Sequence, residues 1–270
     1  MTTHDDLKAL AQQRFDKADF EPLNAHDIVW RSTDIPVIVD TLMDAVRPVA
    51  RPGARIIELG FGHGEVLGEM RSRFPDCSFY GLDLSKRYTA IARERMGAAA
   101  VFTLGDMERL PYSDASFDAV VTCWTLYFMN DLDAALREMR RVLRPGGIFV
   151  AATNARDHMH EYTELAATAV RDALGREMSP DIDVRFDVDT GGDAVRRCFP
   201  DTTLREWHGM LTLTTLAEVE SLWPTYGDWS VSEADTPAVL DALRQHAAQI
   251  LGRVGVVSFR RHGGAFIASV

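Results

Sequence analysis

The chain has 270 residues, 46% of them hydrophobic and 26% charged, which is the usage of a folded globular domain and excludes a largely disordered protein. A net charge of −11 opposes a phosphate backbone, so nucleic acid is not an expected partner. Cys77, Cys123 and Cys198 form no CxxC pair, which argues against a disulfide framework or a zinc site; with a polar, acidic start and no long apolar run, the protein is expected in the cytoplasm, away from membranes.

Residues 5–50 read as helical, because Leu7, Leu10 and Phe15, and then Ile35, Val39, Leu42, Met43 and Val46, recur at helical spacing. Asp34 is placed to cap the second helix, Pro36 falls in its first turn, and Pro48 and Pro52-Gly53 end it. From Ala54 short apolar runs at 55–59, 78–82, 100–102, 117–122 and 148–152 alternate with helical stretches at 65–74, 86–96 and 132–143. Strands apolar on both faces and separated by helices predict a parallel sheet covered on both sides. On the helix at 132–143, Leu132, Ala135, Leu136, Met139 and Leu143 form the apolar stripe, and Arg137, Arg140, Arg141 and Arg144 read as a solvated face. Further on, helices at 157–174, 193–198, 216–222 and 237–251 surround strand-like segments at 204–213 and 254–270, with an acidic irregular stretch at 179–193. The expected organisation is one domain: a helical cap (1–50), a cofactor-binding core (51–153), and a part (154–270) that completes the sheet and supplies a substrate lid.

The central motif is Glu58-Leu59-Gly60-Phe61-Gly62-His63-Gly64-Glu65, a strand that ends in closely spaced glycines before a helix. Such a turn lets backbone approach a ligand and leaves helix N–H groups facing it. Asp83, at the end of the next strand, stands where an acidic residue accepts hydrogen bonds from ribose hydroxyls. Together these point to a nucleoside, carried by either NAD or S-adenosylmethionine. Glu65 separates the two, since it occupies the position where a dinucleotide fingerprint wants Gly or Ala, and its carboxylate repels a pyrophosphate but tolerates a sulfonium.

Five motifs in order, Glu58-Leu59-Gly60-x-Gly62-x-Gly64, Gly81-x-Asp83-Leu84-Ser85, Gly105-Asp106-Met107-Glu108-x-Leu110-Pro111-Tyr112, Ser116-Phe117-Asp118-Ala119-Val120-Val121 and Leu143-Arg144-Pro145-Gly146-Gly147, give a pattern over residues 55–150. It resembles the class I S-adenosylmethionine-dependent methyltransferases, in the small-molecule branch that includes the ubiquinone-biosynthesis type. The resemblance implies a Rossmann-like, doubly wound α/β fold with a mostly parallel seven-stranded sheet, an N-terminal helical cap and C-terminal lid helices. It also implies methyl transfer to oxygen, nitrogen or carbon of a small-molecule acceptor, with S-adenosylhomocysteine as product. Gly60 and Gly62, with Phe61, His63 and Gly64 in the same turn, would line the methionine part, and Glu58 would support the turn or approach the amino group. Asp83 would bind the ribose diol, Leu84 would pack on adenine, Asp106 and Met107 would meet its edge and face, and the Cys123 carbonyl would approach the amino group. His63 departs from the small residue the family pattern has there, and is either a ligand contact or an exposed loop residue.

A hydroxyl acceptor also needs a base. Tyr127 follows the fourth strand and His158 and His160 the fifth, so all three are expected on the rim where open α/β sheets bind ligands; each His is equally well an exposed helix-start residue. His158-Met159-His160-Glu161 lacks the HExxH spacing, and no metal site is expected. Aromatics on the cap (Phe15, Phe20, Trp30), after the fourth strand (Trp124, Tyr127, Phe128) and late in the chain (Trp207, Trp223, Tyr226, Trp229) either line a moderately apolar acceptor pocket or fill cores. Arg31 either meets an anionic group or lies on the surface. Two other functions stay open: an NAD(P)-dependent oxidoreductase, disfavoured by Glu65, and a non-catalytic S-adenosylmethionine-binding module. The chain is expected to be a monomer or homodimer.

Overall fold

Five apolar runs become the parallel strands of one sheet, in the order β3-β2-β1-β4-β5: β1 Arg55–Leu59, β2 Ser78–Asp83, β3 Val101–Leu104, β4 Phe117–Cys123 and β5 Leu143–Asn154. β6 (Thr203–Leu213) and β7 (Val257–Ser269) extend it to seven strands, with β7 antiparallel between β5 and β6. The computed structural model describes residues 7–16, 28–179 and 185–270; Phe20 and residues 1–6, which carried sequence expectations, lie outside them. Among the described residues no helix is long and apolar enough to cross a membrane.

Every residue of β4 is buried, because helices cover both faces of the sheet. On one face pack α2 (Ile35–Val46), α3 (Glu65–Arg73) and α4 (Lys86–Met96), through Leu42, Leu67 and Ala92. On the other pack α5 (Leu132–Val142) and α7 (Gly191–Cys198), through Leu136, Met139 and Val195. A third core lies at the β6–β7 end, where α6 (His160–Leu174), α8 (Leu216–Ser221), α9 (Trp223–Tyr226) and α10 (Thr236–Val254) bury Tyr162, Val219, Trp223 and Leu243 against Leu211 and Phe259. The short helix α1 (Leu7–Phe15) joins the core through buried Ala11 and part-buried Phe15.

Local chemistry starts the helices. The Ser85 side chain accepts the Tyr88 N–H at 3.1 Å to open α4, Asp131 accepts the Ala134 N–H at 2.8 Å to open α5, and Thr215 and Glu218 form a capping box on α8. Asp34 was the expected side-chain cap of α2 and does not serve as one. Its carboxylate turns inward, where both oxygens accept from Arg261 Nε at 3.0 Å and one also accepts the Ser32 hydroxyl. A buried guanidinium on β7 requires an opposite charge, and that requirement outweighs a helix cap.

α6 begins at His160 instead of 157, because Asp157 and His158 are held by β7 through contacts to His262. The row of arginines on α5 is not merely solvated: Arg141 pairs with Glu138 and donates to the Leu110 and Tyr112 carbonyls, and Arg144, at the start of β5, pairs with buried Asp118 at 2.6 Å. The chain winds outward from β1 through β2 and β3, then returns to β4 on the other side of β1. That reversal opens a crevice at the carboxyl ends of β1 and β4, where ligands bind in sheets of this kind.

Candidate functional site

Gly60, Gly62 and Gly64 carry the chain from β1 into α3 with φ of +71°, +51° and +83°. Gly60 is doubly constrained, since a Cβ there would lie 2.5 Å from Thr125 Cγ2. Asp83 closes the turn from the neighbouring strand: it is buried, and its carboxylate accepts the Gly62 N–H at 2.9 Å and the Ser85 N–H at 2.8 Å. Burial pushes its pKa up to about 6 in spite of those hydrogen bonds. Glu58 is buried as well; desolvation and then the nearby Glu65 push its pKa well above the carboxylate range, against a hydrogen bond from the Leu67 backbone.

These groups border a cavity of about 230 Å³ at the carboxyl ends of the strands. Glu58, Gly60, Phe61, Gly62 and His63 line it from the first turn, and Asp83 and Leu84 from the second. Asp106 and Met107 line it from beyond β3, and Cys123 from the end of β4. Gly64 does not line it and instead holds the left-handed N-cap position of α3. His63 is buried with its ring 4.6 Å from that of Tyr88, so the exposed-loop alternative is discarded. Two expected ligand-binding groups already have partners within the protein. Asp106 accepts from Lys8 and from the Glu108 N–H, and the Cys123 carbonyl accepts the Thr125 hydroxyl at 2.7 Å.

The helix α1 falls within the expected N-terminal cap, but its polar contacts to the site were not expected. Lys8 Nζ donates to Asp106 at 2.7 Å and Glu108 at 2.6 Å, Gln12 donates to the Leu84 carbonyl at 3.2 Å, and Asp16 accepts the Ser85 hydroxyl at 2.7 Å. Lys8, Ala11, Gln12 and Phe15 recur at helical spacing and share the face that meets the cavity. That periodicity was present in the sequence, but half of it is polar and it does not register as an apolar stripe. Phe15 meets Tyr88, Phe128 and Trp229 with ring centroids 5.7, 5.6 and 5.9 Å apart. Trp30 and Trp124 add apolar wall, Trp124 from a left-handed backbone at φ +53°. Among the described residues none beyond Met129 lines the cavity; α1 borders it, and from the C-terminal part Trp229 stacks on the lining residue Phe128 with ring centroids 5.8 Å apart.

The three candidate bases lie elsewhere. Tyr127 is buried in the core beneath α5, with its ring against Phe128. The His158 ring faces β7, with Nδ1 2.8 Å from the His262 carbonyl oxygen, and burial followed by the Arg261 charge lowers its pKa to about 3. His160 is exposed and pairs with Glu164 on its own helix. The spacing that put them on the rim did not show that the chain after β5 turns away toward β7. Arg31 pairs with Glu218 at the surface and does not line the cavity.

Residues 57–151 match the family model described as "Methyltransferase domain". Residues 57–151 therefore carry a methyltransferase domain. The chain is similar to a fatty-acid O-methyltransferase of Mycolicibacterium smegmatis, 37% identical over 99 residues and 36% of each chain. It is also similar to a demethylmenaquinone methyltransferase of Deinococcus radiodurans, 36% identical over 109 residues, which are 39% of this chain and 45% of that one. The matches to curated relatives span from 36% to 55% of the relatives' own lengths. The YcgJ protein of Bacillus subtilis shares the fold, with a TM-score of 0.56 at 16% identity over 86% of this chain and 97% of that one. The methyltransferase domain thus coincides with the parallel part of the sheet that holds the cavity, β1 to β5.

Proposed function

We propose that the chain transfers the methyl group of S-adenosylmethionine to a small, partly apolar acceptor, with S-adenosylhomocysteine as the second product. The observation that carries this reading is the charge of the cavity. Carboxyl groups of Glu58, Glu65 and Asp83 line it beside the glycine turn; burial and mutual repulsion make Glu58 hold its proton more tightly than usual, a cost that an entering cation relieves, and Glu58 Oε2 has no hydrogen-bond partner among the described residues. A buried acceptor atom left open among carboxylates suits a ligand that brings ammonium and sulfonium charge, and opposes a pyrophosphate. NAD(P) is disfavoured on the same ground.

In this reading Glu58, Gly60, Phe61, Gly62 and His63 hold the methionine end, with Gly64 fixing the turn. Asp83 takes the ribose diol, Leu84 and Met107 the adenine faces, and Asp106 its edge once Lys8 yields; the Cys123 backbone approaches the amino group. Bound there, S-adenosylmethionine supplies a methyl group that is already activated. The chain's own task is then to align the acceptor and exclude water, for which Phe15, Trp30, Trp124 and Phe128 provide an apolar enclosure. With Tyr127, His158 and His160 outside the cavity, this reading assigns the protein alignment in place of proton abstraction. Two relatives whose names give apolar acceptors, a fatty acid and a demethylmenaquinone, support the same acceptor class here. The acidic net charge supports a free small molecule over nucleic acid, and a monomer or homodimer in the cytoplasm is the proposed setting.

Calorimetry with S-adenosylhomocysteine and NADH tests the cofactor. Saturable binding of the first and silence with the second are expected, and binding of NADH alone overturns the proposal. A labelled methyl donor with fatty-acid, hydroquinone, phenol and amine acceptors tests the transfer. Binding without transfer to any acceptor favours the non-catalytic module.

A further inference from the structure

On the β6–β7 edge, away from the cavity, three metal-ligating side chains converge. Glu206 and His208 are two apart on β6 and project from one face of the sheet, and His262 is the direct cross-strand partner of His208 on β7. The ligating atoms of all three lie within 4.8 Å of one another, and the two imidazole rings are 4.1 Å apart. Glu206 Oε2 is 3.0 Å from His262 Nε2, while His262 Nδ1 is 2.6 Å from Asp157 Oδ1. The His262 ring is therefore held at one nitrogen by a carboxylate and presents the other to Glu206 and His208. His158 buttresses the same strand through the His262 backbone.

From this arrangement we propose a binding site for a divalent cation of the zinc class, with Glu206, His208 and His262 as ligands and Asp157 as the carboxylate that orients His262. Two imidazoles and a carboxylate are a donor set suited to zinc, and a carboxylate behind a ligating imidazole fixes the ring and its tautomer. Metal–ligand bonds of about 2.0–2.2 Å put ligand atoms of a tetrahedral site roughly 3.3–3.5 Å apart, so rotation of the exposed His208 completes the set without movement of either strand. Glu206 and Asp157 bring two negative charges to balance the ion. Three protein ligands leave one coordination position to solvent, and the bound ion would pin the edge strand β6 to β7.

Spacing along the chain gave no reason to expect a metal site, because His208 and His262 meet only through strand pairing. Glu206 and His208 are exposed, so Glu206→Gln and His208→Ala leave the core intact. Titration of the full chain with Zn²⁺ should give one saturable site below about 10 µM, and Co²⁺ should give the visible absorption of a low-symmetry nitrogen–oxygen site. Each variant should weaken Zn²⁺ binding by at least about tenfold and abolish the rise in Tm that Zn²⁺ gives the parent; Asp157→Asn should cost about tenfold. S-adenosylhomocysteine affinity should stay the same in all three, which separates this site from the proposed methyl-donor site. Absence of saturable uptake, or uptake unchanged in both Glu206→Gln and His208→Ala, overturns the proposal.

Discussion

The two ends of the sheet assemble their polar groups in different ways. Around β1, β2 and β4 the groups that reach the cavity sit at or just past the carboxyl end of a strand, so successive βα turns deliver Glu58 to His63, then Asp83 and Leu84, then Cys123 and Trp124 to one crevice. At the β5–β7–β6 end the key contacts join distant segments: Asp34 to Arg261 across 227 residues, Asp157 to His262 across 105, and Glu206 to His262 across 56. Parallel strands gather function by repetition of one local unit, whereas an antiparallel edge gathers it by register. The first end is built to meet a ligand, and the second to hold the chain together.

That division can be broken by experiment. The largest effect is expected from Arg261→Met, which leaves the Asp34 charge buried and unpaired and should cost about 3–5 kcal/mol in denaturant unfolding. S-adenosylhomocysteine affinity of the folded fraction should be unchanged, and a parallel loss of affinity would show that the two ends are coupled. Gly60→Ala should do the reverse, costing about 1–3 kcal/mol from strained backbone and collision with Thr125 but lowering ligand affinity by more than tenfold, roughly 1.4 kcal/mol or more. Gly53→Ala shares the positive φ but meets open space, so it should lose only the backbone contribution and no affinity.

Asp83→Asn should lower affinity by about tenfold, since an amide has one acceptor for the Gly62 and Ser85 N–H groups and none of the charge. The pH profile sharpens this. The folded-state pKa of Asp83 is raised to about 6, so parental affinity should fall as pH drops through 6, and the variant should lack that inflection. Because folding raises this pKa, the folded state binds the proton more tightly than the unfolded one; between about pH 6 and 4 the parent should gain stability relative to the variant as it loses ligand. The smallest effect belongs to Lys8→Ala: removal of the part-buried ion pairs with Asp106 and Glu108 should change stability by about 1 kcal/mol and speed ligand dissociation up to about fivefold in stopped-flow traces.

The same contrast explains what could be read from the chain alone. β1 and α4 fall at the residues expected from their apolar runs, and ten of the eleven expected ligand-binding residues line the cavity, Gly64 being the exception. Each of those depends on a contiguous pattern. The latch at Lys8 was invisible because its partners lie 98 and 100 residues away, and His158 was misplaced because its backbone partner on β7 is 104 residues off. Asp34 shows the conflict most plainly: local rules made it a cap, and a long-range charge claimed it.

The Asp34–Arg261 pair also sets a timetable. During synthesis α2 emerges well before β7, since the guanidinium that neutralises its buried carboxylate lies 227 residues further along. Until that strand is released and inserted between β5 and β6, the carboxylate must stay hydrated and α2 cannot settle on the sheet. The β1–β4 region can order first, but docking of its helical neighbour must wait for β7, so a chain stalled or cut short before that strand would expose the apolar face of α2 to chaperones and proteases.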